Sequence, residues 1–563
     1  MFFRAGCCSR LAVAVPMLVF TPLATLSLFA ITLGALTFGA PRLLAQMPQR
    51  DNKPSETGAV PPKGWIDKDT GHRVLRVSDE PNSGAFYFNV NEFTPDHKQM
   101  IYTAPDGIHV LDLATMTEKM LVANLLQTAP APVAIATGSP AGLASNATGS
   151  LSTNASADAA RGGRGIGSGA HVIVVGHKTN SVFFTRMDPA THSNAVYKAD
   201  TNTGEIRKLI DLPPRVSIST INADETLGVG TYNALDCPGG NPNAPNAFLP
   251  MQPGGPGRPG STGPGSPAGF GAPVPTDPRL GGTNVQADNK GQMMEQRLAA
   301  HTPVVLFTIR LEPGPNGQKA GFIHPLLHST DWIGHMLFSP TDPTLLMYCH
   351  EGPWQKVDRI WMIHADGTRN TLIHKRTLYM EIAGHEFWGL DGRTIWYDWQ
   401  PIKGQDFYLA GYDLETHKRM AYHMDRNDWS IHFNLTQDLD MFCGDGGDPG
   451  QVAKAPDGEW IKLFHPQMIR GDAGALNSPT MWQTGVFHDE HLVNMAHQNY
   501  RQEPNPRFSP DKKYVFFTSN MFGRSYVFAV EVDKATDQSD AVSTPELATK
   551  FNPIEPAATT TPK

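Results

Sequence analysis

Cysteine is scarce, five in 563 residues. Cys7 and Cys8 fall in the amino-terminal apolar stretch, which leaves Cys237, Cys349 and Cys443. No two are spaced C-x-x-C, which excludes a zinc ribbon and a thioredoxin-type redox motif. The three remaining thiols allow one disulfide and do not assign it. Positive charge is not in excess. Lys plus Arg is 46 against 54 Asp plus Glu, a formal net charge of −8. A general nucleic-acid binder needs a basic surface, so that class is set aside. No H-E-x-x-H and no G-x-S-x-G occurs, so neither a zincin helix nor a hydrolase nucleophile elbow is present. Only one long apolar run exists, at the amino terminus, and this excludes a multi-span membrane protein.

That run has the parts of an export signal. Arg4 and Arg10 lead into Leu11–Ala40, which carries no charge, and Leu43-Leu44-Ala45 offers a small residue for cleavage. The stretch is longer than the roughly 7–15 residues of an ordinary signal core. It also reaches the roughly 20 residues that span a bilayer. Two readings follow: a start at Met17 with a cleaved signal, which is favoured, or an uncleaved anchor. Residues 1–45 are therefore read as signal peptide or membrane anchor, with the membrane a partner only in the second case. Both readings place the bulk of the chain outside the cytoplasm, periplasmic or secreted.

Glycine and proline are plentiful, 53 and 47, which disfavours an all-helical chain. Short runs rich in aromatic and β-branched residues read as strands: Lys98–Thr103, Ser181–Thr185, Thr344–Tyr348, Arg393–Tyr397 and Lys513–Thr518. No amphipathic helix stands out in the main body. A repeat is visible. Phe93-Thr-Pro-Asp96, Phe338-Ser-Pro-Thr341, Trp388-Gly-Leu-Asp391 and Phe508-Ser-Pro-Asp511 each precede a strand, and a further strand follows. Units of about 50 residues built from short strands indicate a β-propeller, in which each blade buries its faces against its neighbours. The expected fold is an all-β, seven-bladed β-propeller over residues 72–533. Units two, three and six are degenerate, which leaves eight blades open. Residues 127–170 are rich in Ala, Gly, Ser and Thr, and residues 238–282 hold 24 Gly or Pro in 45. Both are expected to be disordered insertions, and 534–563 a disordered tail.

Histidine crowds the second half: His335, His350, His374, His385, His423, His432, His488, His491 and His497. It is the side chain best placed for proton transfer near neutral pH, and a common metal ligand. Position in the repeat singles out His385 and His432, each two to three residues before a blade's first turn. First-strand residues of a propeller line the central channel. Glu351 and Arg359 flank the 353–358 loop of the preceding blade. A basic, histidine-rich channel in an acidic protein points to a small anionic ligand.

The run from His335 to Trp361, His-Met-Leu-Phe-Ser-Pro-Thr-Asp-Pro-Thr-Leu-Leu-Met-Tyr-Cys-His-Glu-Gly-Pro-Trp-Gln-Lys-Val-Asp-Arg-Ile-Trp, resembles the oligogalacturonate lyases. So does His374–Trp388, which ends Ala-Gly-His-Glu-Phe-Trp. Met293–Arg297 and Glu503–Asp511 are weaker matches. The resemblance implies a seven-bladed propeller that cleaves short pectic oligomers, anionic oligosaccharides, by β-elimination. It also implies a divalent metal, typically manganese, in the channel. Carried over residue by residue, it makes His385 the base, Arg359 the stabiliser of the substrate carboxylate, and His432 a metal ligand. His350, Glu351 and Arg376 are expected to bind substrate.

The chain departs from the pattern at one place. Members of the family carry His-Pro-His-Pro where this chain has Glu503-Pro504-Asn505-Pro506, and a glutamine position falls on Tyr500. Glu503 and Asn505 become the expected metal ligands beside His432. They are oxygen donors, which suit manganese, magnesium or calcium rather than zinc. The expected activity is uronate-oligosaccharide cleavage to unsaturated products. The alternative is a non-catalytic propeller that binds a carbohydrate or protein partner.

Overall fold

A computed structural model of the chain describes residues 60–124, 169–250, 289–447, 455–469 and 481–536. Among them, six hydrogen-bonded sheets are present. The eight-stranded one divides into two antiparallel groups of four, Ile382–Trp388 to Arg419–His423 and Phe433–Leu435 to Trp482–Asn494. A parallel pairing of Arg419–His423 with Trp482–Val486 joins them. The described strands thus form seven antiparallel groups, the repeat architecture of a β-propeller.

One sheet combines the two ends of the described chain. His72–Arg76 pairs antiparallel with Tyr526–Lys534, and Gly64–Ile66 adds outside it. Completing the last blade with an early strand is one way for a ring of sheets to close without an open edge at the chain ends. A fully buried salt bridge lies near the same junction. Arg507 Nε is 2.8 Å from Glu92 Oε1. The Arg507 guanidinium also donates to the carbonyls of Val90 at 2.5 Å and Tyr87 at 2.9 Å. Burial pushes the Glu92 carboxyl up to about 7, against the pull of Arg507. Apolar clusters fill the space within and between neighbouring sheets, as where Ile360 and Met362 pack with Ile395 and Tyr397.

Three expectations meet differences. One helix does form, Asn289–Ala300. Its sequence has only a faint apolar stripe, and tertiary contacts hold it: Arg297 lies over the Trp332 ring at 4.1 Å and Glu295 accepts from Lys356 at 2.6 Å. Residues 238–250, read as part of a surface insertion, pack onto the fold, with Phe248 buried edge-on to Tyr232 and Leu249 N–H donating to Asp236. Residues 251–288 lie outside the described residues, as do 127–168 of the other insertion, the amino-terminal segment 1–59 and most of the tail. No disulfide joins Cys237, Cys349 and Cys443, which are buried thiols.

Candidate active site

The site starts from a repeated irregularity. Counting back three residues from Phe338, Trp388, Leu435 and Phe508, the last inner-strand residues before each turn, gives His335, His385, His432 and Asn505. Four consecutive repeats place a polar group at the same point. In the strands Trp332–Phe338 and Ile382–Trp388 a register shift falls there, between Gly334 and Leu337 and between Gly384 and Phe387. His335 and His385 have φ of 47° and 48°, and Asn505 has 52°. A bulge with a left-handed residue turns one side chain out of the sheet alternation and costs roughly 1–3 kcal/mol of strain. Paid at matching positions, this strain aims side chains at one place. Gly384 adds room: a Cβ there would come within 2.6 Å of the Trp354 ring.

His385 is braced from behind. Its Nδ1 is 3.2 Å from Oδ2 of Asp398, a fully buried carboxylate on the neighbouring strand. Neither Asp398 oxygen has a hydrogen-bond partner of good geometry among the described residues. With Nδ1 facing Asp398, Nε2 is the nitrogen left for a ligand. The His385 and His432 rings meet edge-on, centroids 5.3 Å apart.

His432 is held more tightly. Its Nδ1 is 2.5 Å from Asp445 Oδ2, while Asp445 Oδ1 accepts the backbone N–H of Ile431 and His432. Nε2 then faces the Tyr87 hydroxyl at 3.2 Å and Glu503 Oε2 at 3.8 Å. Burial lowers the basicity of His432, but Asp445 and Glu503 outweigh it and the net direction is up. Burial and the carboxylates of Glu503, Glu386 and Glu351 hold the Tyr87 phenol well above its usual range, so it stays neutral.

On the other side, Arg359 donates from Nη2 to Glu351 Oε2 at 2.9 Å and from Nη1 to the Gly352 carbonyl at 3.3 Å. Its Nε–H has no partner among the described residues, and its face covers Trp354 at 4.2 Å. Glu351 Oε1 is 2.9 Å from His335 Nε2. Burial alone would raise Glu351, yet Arg359 and His335 hold it well below the usual carboxylate range. Glu386 is fully buried, 3.9 Å from His335 Nδ1, with neither oxygen hydrogen-bonded among the described residues.

The structure therefore brings His385, Arg359, Glu351, His432 and Glu503 into one connected set. Asn505 is adjacent, but its oxygen accepts the Phe88 N–H at 3.1 Å and its amide donates to the Glu503 carbonyl at 2.9 Å. His350 is not in the set. Successive strand residues face opposite sides, so with Glu351 turned toward His335, His350 stacks on Trp361 at 4.9 Å. Arg376 is a brace: Nε donates to Asp358 and Nη1 to the Trp354 carbonyl, both at 3.0 Å. Sequence reasoning did not assign His335, Tyr87, Asp398, Glu386 or Asp445. For His335 a signal existed, Gly-His three residues before Phe-Ser, as Gly-His precedes Phe-Trp-Gly in the next repeat.

A metal fits the His432 side of this set. The Asp445 brace fixes a neutral-capable imidazole with Nε2 outward, the usual carboxylate–histidine support of a ligand. Glu503 faces it with a hard oxygen donor, a mix that suits manganese. A separate cluster of donor type, Asp428, Asp489 and His491, already holds a protein cation. The buried Lys462 ammonium donates to all three, at 3.1, 3.3 and 3.0 Å.

An imidazole with a carboxylate behind it, a buried arginine and a histidine placed to hold a metal make up a candidate acid–base centre on a β-propeller fold. Residues 316–536 match the family model described as oligogalacturonate lyase. An oligogalacturonide lyase of Pectobacterium atrosepticum is 28% identical over 219 residues, 38% of this chain and 53% of the relative. An oligogalacturonate lyase of Dickeya dadantii is 26% identical over 226 residues, with the same coverage. The chain thus spans about half the length of these curated relatives in the match. A solved oligogalacturonate lyase in complex with manganese superposes with a TM-score of 0.53 at 18% identity, over 84% of this chain and 96% of the other. That superposition supports the fold well beyond the matched sequence.

Proposed function

We propose that the protein is an exported uronate-oligosaccharide lyase that cleaves short pectic oligomers by β-elimination. The observation that carries the reading is the pairing, on one inner surface, of His385 backed by Asp398 with Arg359 held by Glu351. A uronate C5–H is weakly acidic, because the adjacent carboxylate is already an anion. Arg359, whose Nη1 and Nη2 each keep a second N–H beyond Glu351 and Gly352, offers a charge-assisted donor to that carboxylate. Burial works against the Arg359 cation, but the Glu351 and Glu386 carboxylates keep it charged. His385 Nε2 takes the C5 proton, and Asp398 steadies the imidazolium that results. Trp354, at 6.1 Å from the His385 ring, closes one side against water.

His432 and Glu503 would hold a divalent metal, manganese by the chemistry of the donors. When bound it would neutralise the substrate carboxylate and stabilise enolate-like charge. Export to the periplasm or medium is part of the same proposal and rests on Arg4, Arg10 and the uncharged Leu11–Ala40 run. The test is incubation with digalacturonate and manganese, following the ultraviolet absorbance of the unsaturated uronate. A rise is expected, and no product from any uronate oligomer would overturn the reading. One observation favours a second reading, a binding propeller without turnover: the Asn505 oxygen is engaged by Phe88, which thins the metal shell. Tight digalacturonate binding with no turnover and no bound metal would support it.

A further inference from the structure

Elimination needs two proton transfers, and the reading above uses one. The C5 proton leaves to a base, and the C4–O4 bond breaks as the C4=C5 double bond forms. The departing O4 would be a strongly basic alkoxide unless it is protonated. We propose that His335 is the general acid that gives O4 its proton. This rests on the lyase reading and adds to it a second catalytic imidazole.

Geometry supports the assignment. His335 occupies the same bulge in its repeat as His385 does in the next, with the same left-handed backbone. The two rings are braced through opposite nitrogens. His385 faces its carboxylate with Nδ1, whereas His335 faces Glu351 with Nε2 at 2.9 Å. His335 therefore keeps Nδ1–H, 3.9 Å from Glu386, for a ligand. Its ring is 6.0 Å from Tyr87, which in turn is 5.2 Å from His432, so one phenol lies beside both imidazoles. The groups facing His335 are Glu351, Glu386, Arg359 and Tyr87. Burial and Arg359 disfavour its protonation, but the two carboxylates outweigh them and the net direction is up. An imidazolium is the form an acid needs. In the step, His385 gains the C5 proton, the C5–H electrons form the double bond, O4 leaves with the C4–O4 pair, and His335 supplies its Nδ1 proton to O4. Solvent then restores both rings.

The experiment compares two leaving groups in the metal-loaded protein: digalacturonate, and a galacturonate whose C4 substituent is fluoride, which leaves without a proton. His335→Gln is expected to slow digalacturonate cleavage about 10²–10⁴-fold, the usual worth of general acid–base help, and to slow fluoride loss less than about tenfold. His385→Ala is expected to slow both. The wild-type rate on digalacturonate falls at high pH as His335 deprotonates, and that limb is absent for the fluoride. Equal losses on both substrates in His335→Gln, or no loss on either, with unfolding temperature unchanged, would overturn the acid role while leaving His385 as base. If the unaltered protein turns over neither substrate, the lyase reading fails and takes this one with it.

Discussion

Asp445 decides which nitrogen of His432 faces Tyr87 and Glu503. Its Oδ2 holds Nδ1 at 2.5 Å, and its Oδ1 is spent on two backbone N–H groups, so it cannot swing away. Asp445→Asn keeps the shape but loses the charge that supports a metal-binding imidazole. Manganese affinity, measured by calorimetry, is expected to fall about 10–100-fold; unchanged affinity would show that His432 is not a ligand. At this scale the sequence was uneven. His385 and Arg359 stood out as candidates because they sit in runs that resemble a family, and the structure brings them together. Asp398, Asp445 and Tyr87 were not. Each reaches the site from a separate strand or loop, Tyr87 from 345 residues away from His432, and no local pattern announces such a partner. His350 misled for the converse reason: adjacency to Glu351 in sequence places it on the opposite face.

Among the elements, the 374–381 segment between two blades shows how a buried carboxylate can fix a loop. Glu381 is almost wholly buried, and accepts from the N–H groups of Thr377 and Leu378 at 2.6 and 2.9 Å and from Trp399 at 2.8 Å, with His374 at 2.7 Å. Burial alone would raise its pKa; these bonds, His374 foremost, bring it down from 4.5 to about 2. A carboxyl depressed in the folded state stabilises above its unfolded value, and that contribution fades as pH falls from about 4.5 toward about 2. Glu381→Gln is expected to lose about 1–3 kcal/mol near neutral pH. Unfolding-temperature differences from wild type should shrink across that acid window; a pH-independent difference would contradict the charge argument. The strands themselves were legible from their aromatic and β-branched runs, within a few residues. The helix Asn289–Ala300 was not, because its neighbours rather than its own pattern hold it.

For the whole molecule, closure is the decisive feature. His72–Arg76 completes the last sheet, and Arg507 ties that sheet to the segment carrying Glu92 and Tyr87. Arg507→Met leaves Glu92 buried without its cation and is expected to cost about 3–5 kcal/mol. Denaturant unfolding would measure it, and a loss below about 1 kcal/mol would show the pair to be dispensable. The repeat of Phe-Ser/Thr-Pro turns made the propeller readable before any coordinates. The closing pairing could not be read, since it joins residues more than 450 apart in sequence.

His385 is the group proposed to remove the C5 proton from a uronate. The most direct measurement is the rate of unsaturated product formed from digalacturonate with manganese by the wild-type protein and by a folded His385→Ala variant. Steady product is expected from the first and a loss of at least about 10²-fold in the second. Equal rates from the two proteins would contradict it.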